Sequence, residues 1–417
     1  MHKILTYTTL YPNSTSPAHG IFVENRLRHL ISTRQVESRV VAPVPWFFSR
    51  APFWGRYAAF AGVPRQECRH GIQVEHPRFP VIPKIGMILS PFLLALATKP
   101  LLSRIIENGY DFDILDAHYF YPDGVAAAII ARTLQKPYVV TARGTDLNLI
   151  AGYPIPRRLI QWSAGHASGL VTVCQALKDK LAQIGVDRER IAVLRNGVDL
   201  NQFKPPENRE SLRRSLGVAG PTILSVGGLV PGKGHDLIIR SMPDLPDANL
   251  WILGAGPGRK KLHALVKQLR LGDRVRFLGS VEHEQMPRYY GVADALVLVS
   301  AREGWPNVLL ESMACGTPVL ATRVGGTQEV VDDSRAGTLI DERTPESIVR
   351  CIRSLLSSAP DRGATRRYAE QFSWDSTSTG LINLFNLVSK SKPFCEDPDL
   401  PARAIGRSPA RQRSSTT

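Results

Sequence analysis

The sequence predicts an α/β protein: two doubly wound, Rossmann-like domains facing a central cleft. Three observations carry that prediction. The chain has 417 residues, room for two hydrophobic cores of ordinary size. Apolar runs with strand character alternate with helical patterns through both halves. Polar or glycine-rich loops directly follow the strands, which is where doubly wound sheets place their chemistry.

The composition is that of a globular protein, with 43% hydrophobic residues. No run approaches the ~18 consecutive apolar residues of a membrane span. The opening MHKILTYTT lacks the charged, apolar and cleavage regions of a signal peptide and reads as a first strand, so a cytoplasmic protein is expected. Cys68, Cys174, Cys315, Cys351 and Cys395 show no C-x-x-C spacing, so neither a disulfide framework nor a zinc site is implied. The net charge of +15 suits nucleic acid, an anionic membrane surface or a phosphorylated substrate. No helix-turn-helix, zinc-finger or RNA-binding signature supports nucleic acid. Part of the charge lies in the C-terminal tail.

Residues 2–9 read as the first strand and Ile21–Ser32 as a helix. Between them, LYPNSTSPAHG (Leu10–Gly20) is a loop of the kind that lines a crevice, or a plain surface loop. Gly20 at the helix start lets an anion approach backbone amides. Val44–Gly62 is aromatic and basic, with Trp46, Phe47, Phe48, Phe53, Trp54, Tyr57 and Phe60 among Arg50 and Arg56. Ile82–Ala97 is apolar, broken by Pro83 and Pro91. Both segments suit a membrane headgroup layer and equally a buried core. Asp113–Ala117 is a strand leading into His118, followed by a helix at Val125–Leu134. The strand Pro137–Thr141 leads into ARGTD (Ala142–Asp146). Leu170–Val173, the helix Gln175–Ile184 and the strand Ile191–Leu194 lead to the turn RNGVD (Arg195–Asp199).

The second half opens with the strand Pro221–Val226 and the loop GGLVPGKGHD, in which Lys233 precedes a helix at His235–Ser241 and is set to pair with a diphosphate. Leu250–Leu253 ends in GAGPGRKKL, whose turn contains Gly256. Arg274–Gly279 is the next strand and Met286–Tyr290 a helix. Ala295–Val299 reads as a buried strand before SAREGWPNVLLESMACGTPVLATRVGG (Ser300–Gly326). Pro306 and Asn307 mark a helix start, with Asn307 as capping residue. Glu303 thus lies before a helix N-terminus and Glu311 on its second turn. A glutamate pair alone is most simply surface charge. Here it brackets amides that point at an anion, with the helix dipole behind them. Carboxylates for sugar and ribose hydroxyls, with amides for a diphosphate, are what a nucleotide sugar needs. Thr317–Thr322 is the following strand, and helices are read to about Ser358 and over Trp374–Val388. Residues 393–417 are Pro-, Arg- and Ser-rich and read as a disordered basic tail.

EGWPNVLLESMACGTPVLAT resembles the E-x7-E signature of the retaining glycosyltransferases of family 4, which have the two-lobed GT-B fold. The resemblance is dense over Ser300–Val330 and looser over most of residues 1–375. It implies an N-terminal acceptor-side domain (1–200), a C-terminal nucleotide-sugar domain (201–375), a helix crossing back to the first (376–392) and the tail. It implies transfer of a sugar from a UDP- or GDP-sugar to a hydroxyl with retention, by a hexosyltransferase without metal or other cofactor. His118 then faces the donor sugar at the reacting centre. Arg143 faces phosphate or acceptor charge, and Asp146 orients it. Leu10–Gly20 corresponds to the acceptor-side loop, with Asn13 and His19 as candidates. Lys233, Gly20 and the Trp305–Val308 helix start, including Asn307, hold the diphosphate. Glu303 takes sugar hydroxyls and Glu311 the ribose, Gly256 belongs to the G-x-G-P turn, and Val281 and Glu282 meet the base. The family's loop carries an arginine where this chain has Gly228, and Arg195 and Arg323 are the candidates to compensate.

The acceptor implied is a lipid-linked or growing glycan of cell-surface polysaccharide, reached by a protein peripheral on the inner membrane face. Two other readings stay open at the level of sequence. One is a nucleotide-sugar epimerase of the same two-lobed fold, and the other a non-catalytic sugar-nucleotide-binding protein.

Overall fold

A computed structural model describes residues 1–51, 53, 55–82, 86–358 and 361–390. Trp54, Pro83, Cys395 and the tail read at 393–417 lie outside the described residues.

The chain forms two compact units. Of the described residues, the first comprises Met1–Thr172, Lys178–Val193 and residues 380–390; the second comprises Val173–Leu177 and Leu194–Thr379. Where the sequence suggested a change of domain at 200/201, the chain from Leu194 already packs with the second unit.

In the first unit the strands are β1 (His2–Tyr7), β2 (Val36–Val41), β3 (Val44–Pro45), β4 (Gln66–Arg69), β5 (Ile72–Glu75), β6 (Arg78–Phe79), β7 (Ile114–His118), β8 (Tyr138–Ala142), β9 (Gly169–Thr172) and β10 (Ile191–Val193). Eight of them make one sheet in the order β10-β9-β8-β7-β1-β2-β5-β4, and β3 pairs with β6 separately. Ile4 to Tyr7 of β1 run parallel to Ile114 to Ala117 of β7 on one side, and to β2 on the other. Every residue of β7, β8 and β9 is buried. This explains why they show no apolar–polar alternation: a parallel strand covered on both faces has no solvent side to alternate with. The antiparallel pair β4–β5 at the edge was not legible, because QECR and IQVE are short and mixed in polarity.

The apolar stretch at Ile82–Ala97 is not broken at Pro91. A single helix spans Gly86–Glu107 with Pro91 and Pro100 inside it. Leu94, Ala95, Leu102 and Ile105 are buried on it, and it packs on helix Val125–Leu134. That tertiary burial outweighs the ~3 kcal/mol an internal proline costs. By length and composition it could cross a membrane, and about a third of its most apolar window is buried within the protein.

In the second unit the strands are β11 (Thr222–Val226), β12 (Asn249–Leu253), β13 (Val275–Gly279), β14 (Ala295–Leu298), β15 (Val319–Thr322) and β16 (Gly337–Ile340). They form a sheet in the order β13-β12-β11-β14-β15-β16, parallel throughout. The chain starts in the middle, builds outward to β13, then returns to lay β14 beside β11. That reversal leaves a crevice at the carboxyl ends of β11 and β14. Ile223, Leu250, Ile252, Val297 and Leu320 form the sheet's share of one core with Ile238, Ile239, Ile348 and Ile352.

The loops after β11 and β12 are zipped together by backbone. Gly227 N–H donates to Leu253 O, Leu229 N–H to Ala255 O, and Gly258 N–H to Leu229 O. A Cβ on Gly254 would stand 1.9 Å from Gly227 O, and Gly254 holds φ 143°. Gly254→Ala is therefore expected to destabilise the fold by about 2 kcal/mol or more, through a strained backbone and a forced separation of the loops. Chemical denaturation of wild type and variant measures it, and an unchanged midpoint would refute the close approach.

Candidate active site

In the second unit the reversal between β11 and β14 brings the two loops read for donor chemistry into contact. Lys233 ends a 3₁₀ turn, Pro231–Lys233, before helix His235–Ser241. Its Nζ donates to Glu303 Oε1 at 2.5 Å, with the carboxylate mostly buried. Ala301 N–H donates to Gly232 O, fastening one loop to the other. Glu303 precedes helix Asn307–Ala314, whose capping position is Pro306 with no side-chain cap. Asn307 is therefore not the cap but the first helical residue. Its Oδ1 accepts from Asn196 Nδ2 at 3.2 Å, so its side chain is turned to a neighbouring loop instead of its own helix end. Trp305 is buried and donates from Nε1 to Asn196 O at 2.9 Å. Val308 is half-buried on the first turn.

Glu311 lies one turn further along. Its Oε2 accepts from Tyr290 Oη at 2.8 Å, and Oε1 lies 3.1 Å from His283 Nε2. Burial, together with Glu311, raises the Tyr290 hydroxyl well above its usual range, so it stays a donor. Each oxygen of a carboxylate accepts more than one hydrogen bond, so Glu311 is oriented by these partners and keeps acceptor capacity. His283 and Tyr290 were missed at the sequence level. They sit 28 and 21 residues from Glu311, and no local pattern links them.

Gly256 is held against Leu229, where a Cβ would meet Leu229 O at 2.7 Å. Its glycine serves the loop packing. Val281 is half-buried after β13, and Glu282 is exposed. Gly228 meets nothing nearer than Ala255 O at 3.9 Å, so a side chain has room there. The two arginines considered as substitutes are already engaged. Arg195 donates to Glu329 from Nε at 2.9 Å and a terminal nitrogen at 2.6 Å, and Arg323 to Asp341 at 2.7 Å.

In the first unit the same reversal occurs between β1 and β7. His118 is the last residue of β7 and is buried. Arg143 donates to its Nδ1 at 2.7 Å, so the ring proton sits on Nε2, 3.3 Å from Asp116 Oδ2. Burial, reinforced by Arg143 and resisted by Asp116, pushes the His118 pKa down to about 4, and the ring is neutral. Burial alone would raise Asp116, but His118, Arg26 and Arg143 bring it below the usual carboxylate range. Arg143 is itself buried, its guanidinium 5.4 Å from the Phe22 ring. It is thus turned inward to His118, where the sequence reading had it facing phosphate or acceptor charge.

Asp146 is fully buried. It accepts from the N–H groups of Phe120, Arg143, Gly144 and Leu147, at 2.7 to 3.3 Å. These bonds make it the organiser of both loops around His118. Gly20 caps helix Ile21–Ser32 at φ 69°, and a Cβ there would fall 2.3 Å from Leu10 O, so only glycine closes this loop. Asn13 and His19 come together in one cavity of about 300 Å³ after β1.

Asp123, which sequence reading passed over inside YPDG, accepts from Thr9 N at 2.6 Å and from the hydroxyls of Thr8 and Thr9. Burial pushes its pKa up to about 7 despite these donors. Among the described residues no three His, Cys, Asp or Glu side chains form a group able to hold a metal ion.

Two family models match the chain: Glycosyltransferase Family 4 over residues 58–202 and Glycosyl transferases group 1 over residues 208–372. A D-inositol 3-phosphate glycosyltransferase of Geodermatophilus obscurus is 34% identical over 369 residues, covering 82% of this chain and 81% of that one. The chain belongs to glycosyltransferase family 4. It is a retaining glycosyltransferase of the hexosyltransferase type with a nucleotide-sugar donor. A GDP-mannose-dependent alpha-(1-6)-phosphatidylinositol monomannoside mannosyltransferase of Mycolicibacterium smegmatis is 29% identical over 252 residues, 56% of this chain and 66% of that one. The Anabaena protein HepE, solved with UDP-glucose, superposes with a TM-score of 0.70 at 22% identity, over 92% of this chain and 99% of that one. The fold is GT-B.

The raised pKa of Asp123 fixes a direction for stability. The folded chain keeps a proton that the unfolded chain releases above pH ~4, so this contribution is complete below the unfolded pKa and is lost as pH rises through about 7. Melting temperatures of wild type and Asp123→Asn between pH 4 and 8 are expected to diverge, with wild type losing ground to the variant as pH rises. A constant difference would contradict it.

Proposed function

We propose that this glycosyltransferase moves a sugar from a UDP- or GDP-sugar to a hydroxyl of a lipid-linked or growing glycan in cell-surface polysaccharide assembly. The observation that carries the donor side is the Lys233–Glu303 pair at the β11/β14 reversal, beside the uncapped start of helix Asn307–Ala314. A diphosphate brings the negative charge that Lys233 now takes from Glu303. Once Lys233 turns to the phosphate, Glu303 is released to accept from sugar hydroxyls. Glu311, aligned by Tyr290 and His283, takes the ribose.

As the glycosidic bond to the donor phosphate breaks, charge grows on the leaving oxygen. Lys233 and the first-turn amides of the helix stabilise it where it forms. The leaving phosphate takes the acceptor's proton on the same face, which keeps the anomeric configuration. In the first unit His118 is neutral and fixed between Arg143 and Asp116.

The lipid-linked acceptor and a peripheral place at the inner membrane face draw support from the first unit. Trp46, Phe48, Phe53 and Tyr57 are 58%, 67%, 80% and 41% exposed. Arg50 and Arg65 are exposed beside them and close enough to Arg78 to help lower its pKa, after burial. Exposed rings among cations suit an anionic headgroup layer. Flotation with vesicles containing phosphatidylglycerol should carry wild type upward and leave a Trp46→Ser/Phe48→Ser/Phe53→Ser variant in the soluble fraction. Equal partition of both proteins would remove the membrane reading.

The donor is found by thermal shift against UDP- and GDP-sugars, since a ligand of the folded form raises its melting point. With that donor, Lys233→Ala and Glu311→Ala should each lose about 2 kcal/mol of transition-state stabilisation, roughly 30-fold in kcat/KM. In the same assay the wild-type rate should survive EDTA. Wild-type turnover in both variants is incompatible with the assignment.

A further inference from the structure

Thr8, the residue after β1, has a hydroxyl with one hydrogen and two acceptors for it. His118 O and Asp123 Oδ2 each lie 3.2 Å from Thr8 Oγ1. The oxygen itself is pinned, because it accepts from Leu10 N at 2.9 Å and is buried. Only the hydrogen can turn from one acceptor to the other.

Its direction decides the hold on the His118–Tyr119 peptide. Tyr119 N donates to Thr141 O at 2.8 Å on one side of that peptide, and His118 O faces Thr8 on the other. Tyr119 has φ 83°, a conformation that a tyrosine keeps only when its surroundings impose it. A bond from Thr8 is thus part of what fixes the backbone of His118 at the end of β7.

Asp123 breaks the tie. Its carboxyl is fully buried and accepts from Thr9 N at 2.6 Å and Thr9 Oγ1 at 3.0 Å. Ionised, it draws the Thr8 hydrogen, since a bond to a carboxylate is roughly twice as strong as one to a neutral oxygen. Protonated, it loses that advantage while Thr9 N–H still occupies Oδ2, and the hydrogen goes to His118 O. Burial, against the Thr9 and Thr8 donors and with Asp146 adding to it, puts this exchange at about pH 7. Tyr7 on β1 and Tyr119 also feel the Asp123 charge; burial above all keeps both hydroxyls protonated. The His118 ring, with its pKa down at about 4, stays neutral through the same range. His19, whose Nε2 lies 3.0 Å from Thr9 O, is the remaining titratable group in this chain of bonds.

We propose that Asp123 is a positioning residue whose proton decides how firmly His118 is held: Thr8 bonds His118 O when the Asp123 carboxyl carries a proton and turns to Asp123 when it does not. The exchange lies wholly within the first unit. Its effect on turnover rests on the expectation that His118 serves sugar transfer.

The dipeptide His118–Tyr119 is the sole His–Tyr pair in the sequence. Protein labelled with ¹³C at histidine carbonyls and ¹⁵N in tyrosine therefore gives a single carbonyl–amide correlation, that of His118 O=C and Tyr119 N–H. In wild type the carbonyl signal should move between pH 6 and 8, with its midpoint at about 7. Asp123→Asn, neutral and of the same shape, should hold the wild-type pH 6 position throughout. Thr8→Val should abolish the movement and Thr8→Ser restore it, with His19 kept in every variant. A wild-type signal that stays still, or movement that survives in Asp123→Asn or Thr8→Val, overturns the proposal. Hydrolysis of UDP-glucose and GDP-mannose is followed in the same buffers. From pH 6 to 8, wild type should lose roughly 3-fold in rate relative to Asp123→Asn. A constant ratio beside a moving signal leaves the hydrogen-bond exchange standing and removes His118 from sugar transfer.

Discussion

Lys233 meets Glu303 because β11 and β14 are neighbours in space while 68 residues separate the end of one from the start of the other. A sheet that begins at its centre and grows in both directions must leave its two middle strands with connections running to opposite sides. The loops at their carboxyl ends are then free to carry polar groups. The second unit fills that place with a cation, a carboxylate and a helix start. The first repeats the plan: Thr8 and Thr9 after β1 meet Asp123 beyond β7, and His118 closes β7 itself.

The two places are electrostatically unlike. In the second unit Lys233 is paired with Glu303, and His283 lies against Glu311, all part-exposed. In the first, Arg26, Asp116, His118, Arg143 and Asp146 are all buried. Charges so far from water hold position only while every partner stays, since removing one strands the other. The first unit's set is therefore a fixed frame, with His118 neutral at its centre.

Much of this was readable in the amino-acid order. Helices Ile21–Ser32, Val125–Leu134, His235–Ser241 and Trp374–Val388 fall where the pattern put them, because each has an amphipathic or apolar run with a clear start. The buried parallel strands were found for the same reason. What escaped depends on contacts far apart in sequence. No local rule says that Pro91 will be carried through a helix by packing on Val125–Leu134. Nor does one say that Arg143 turns to His118, or that Asp146 spends its carboxylate on four amides. Strands β4, β5 and β16, at or next to sheet edges, are short and half-polar, and their identity comes from the neighbours they pair with.

The helix Trp374–Val388 has one more implication. Its last turns belong to the first unit, where Asn386 Oδ1 lies 2.8 Å from His2 Nε2 and Leu384 packs at Gly169. The first lobe is thus finished only by residues near 380–390. During synthesis the sheet built from residues 2–193 waits for some two hundred more residues before its last covering piece emerges. A polypeptide severed after β10 would present the bare flank of β9 to solvent, so the amino-terminal lobe is not a separable module of this enzyme.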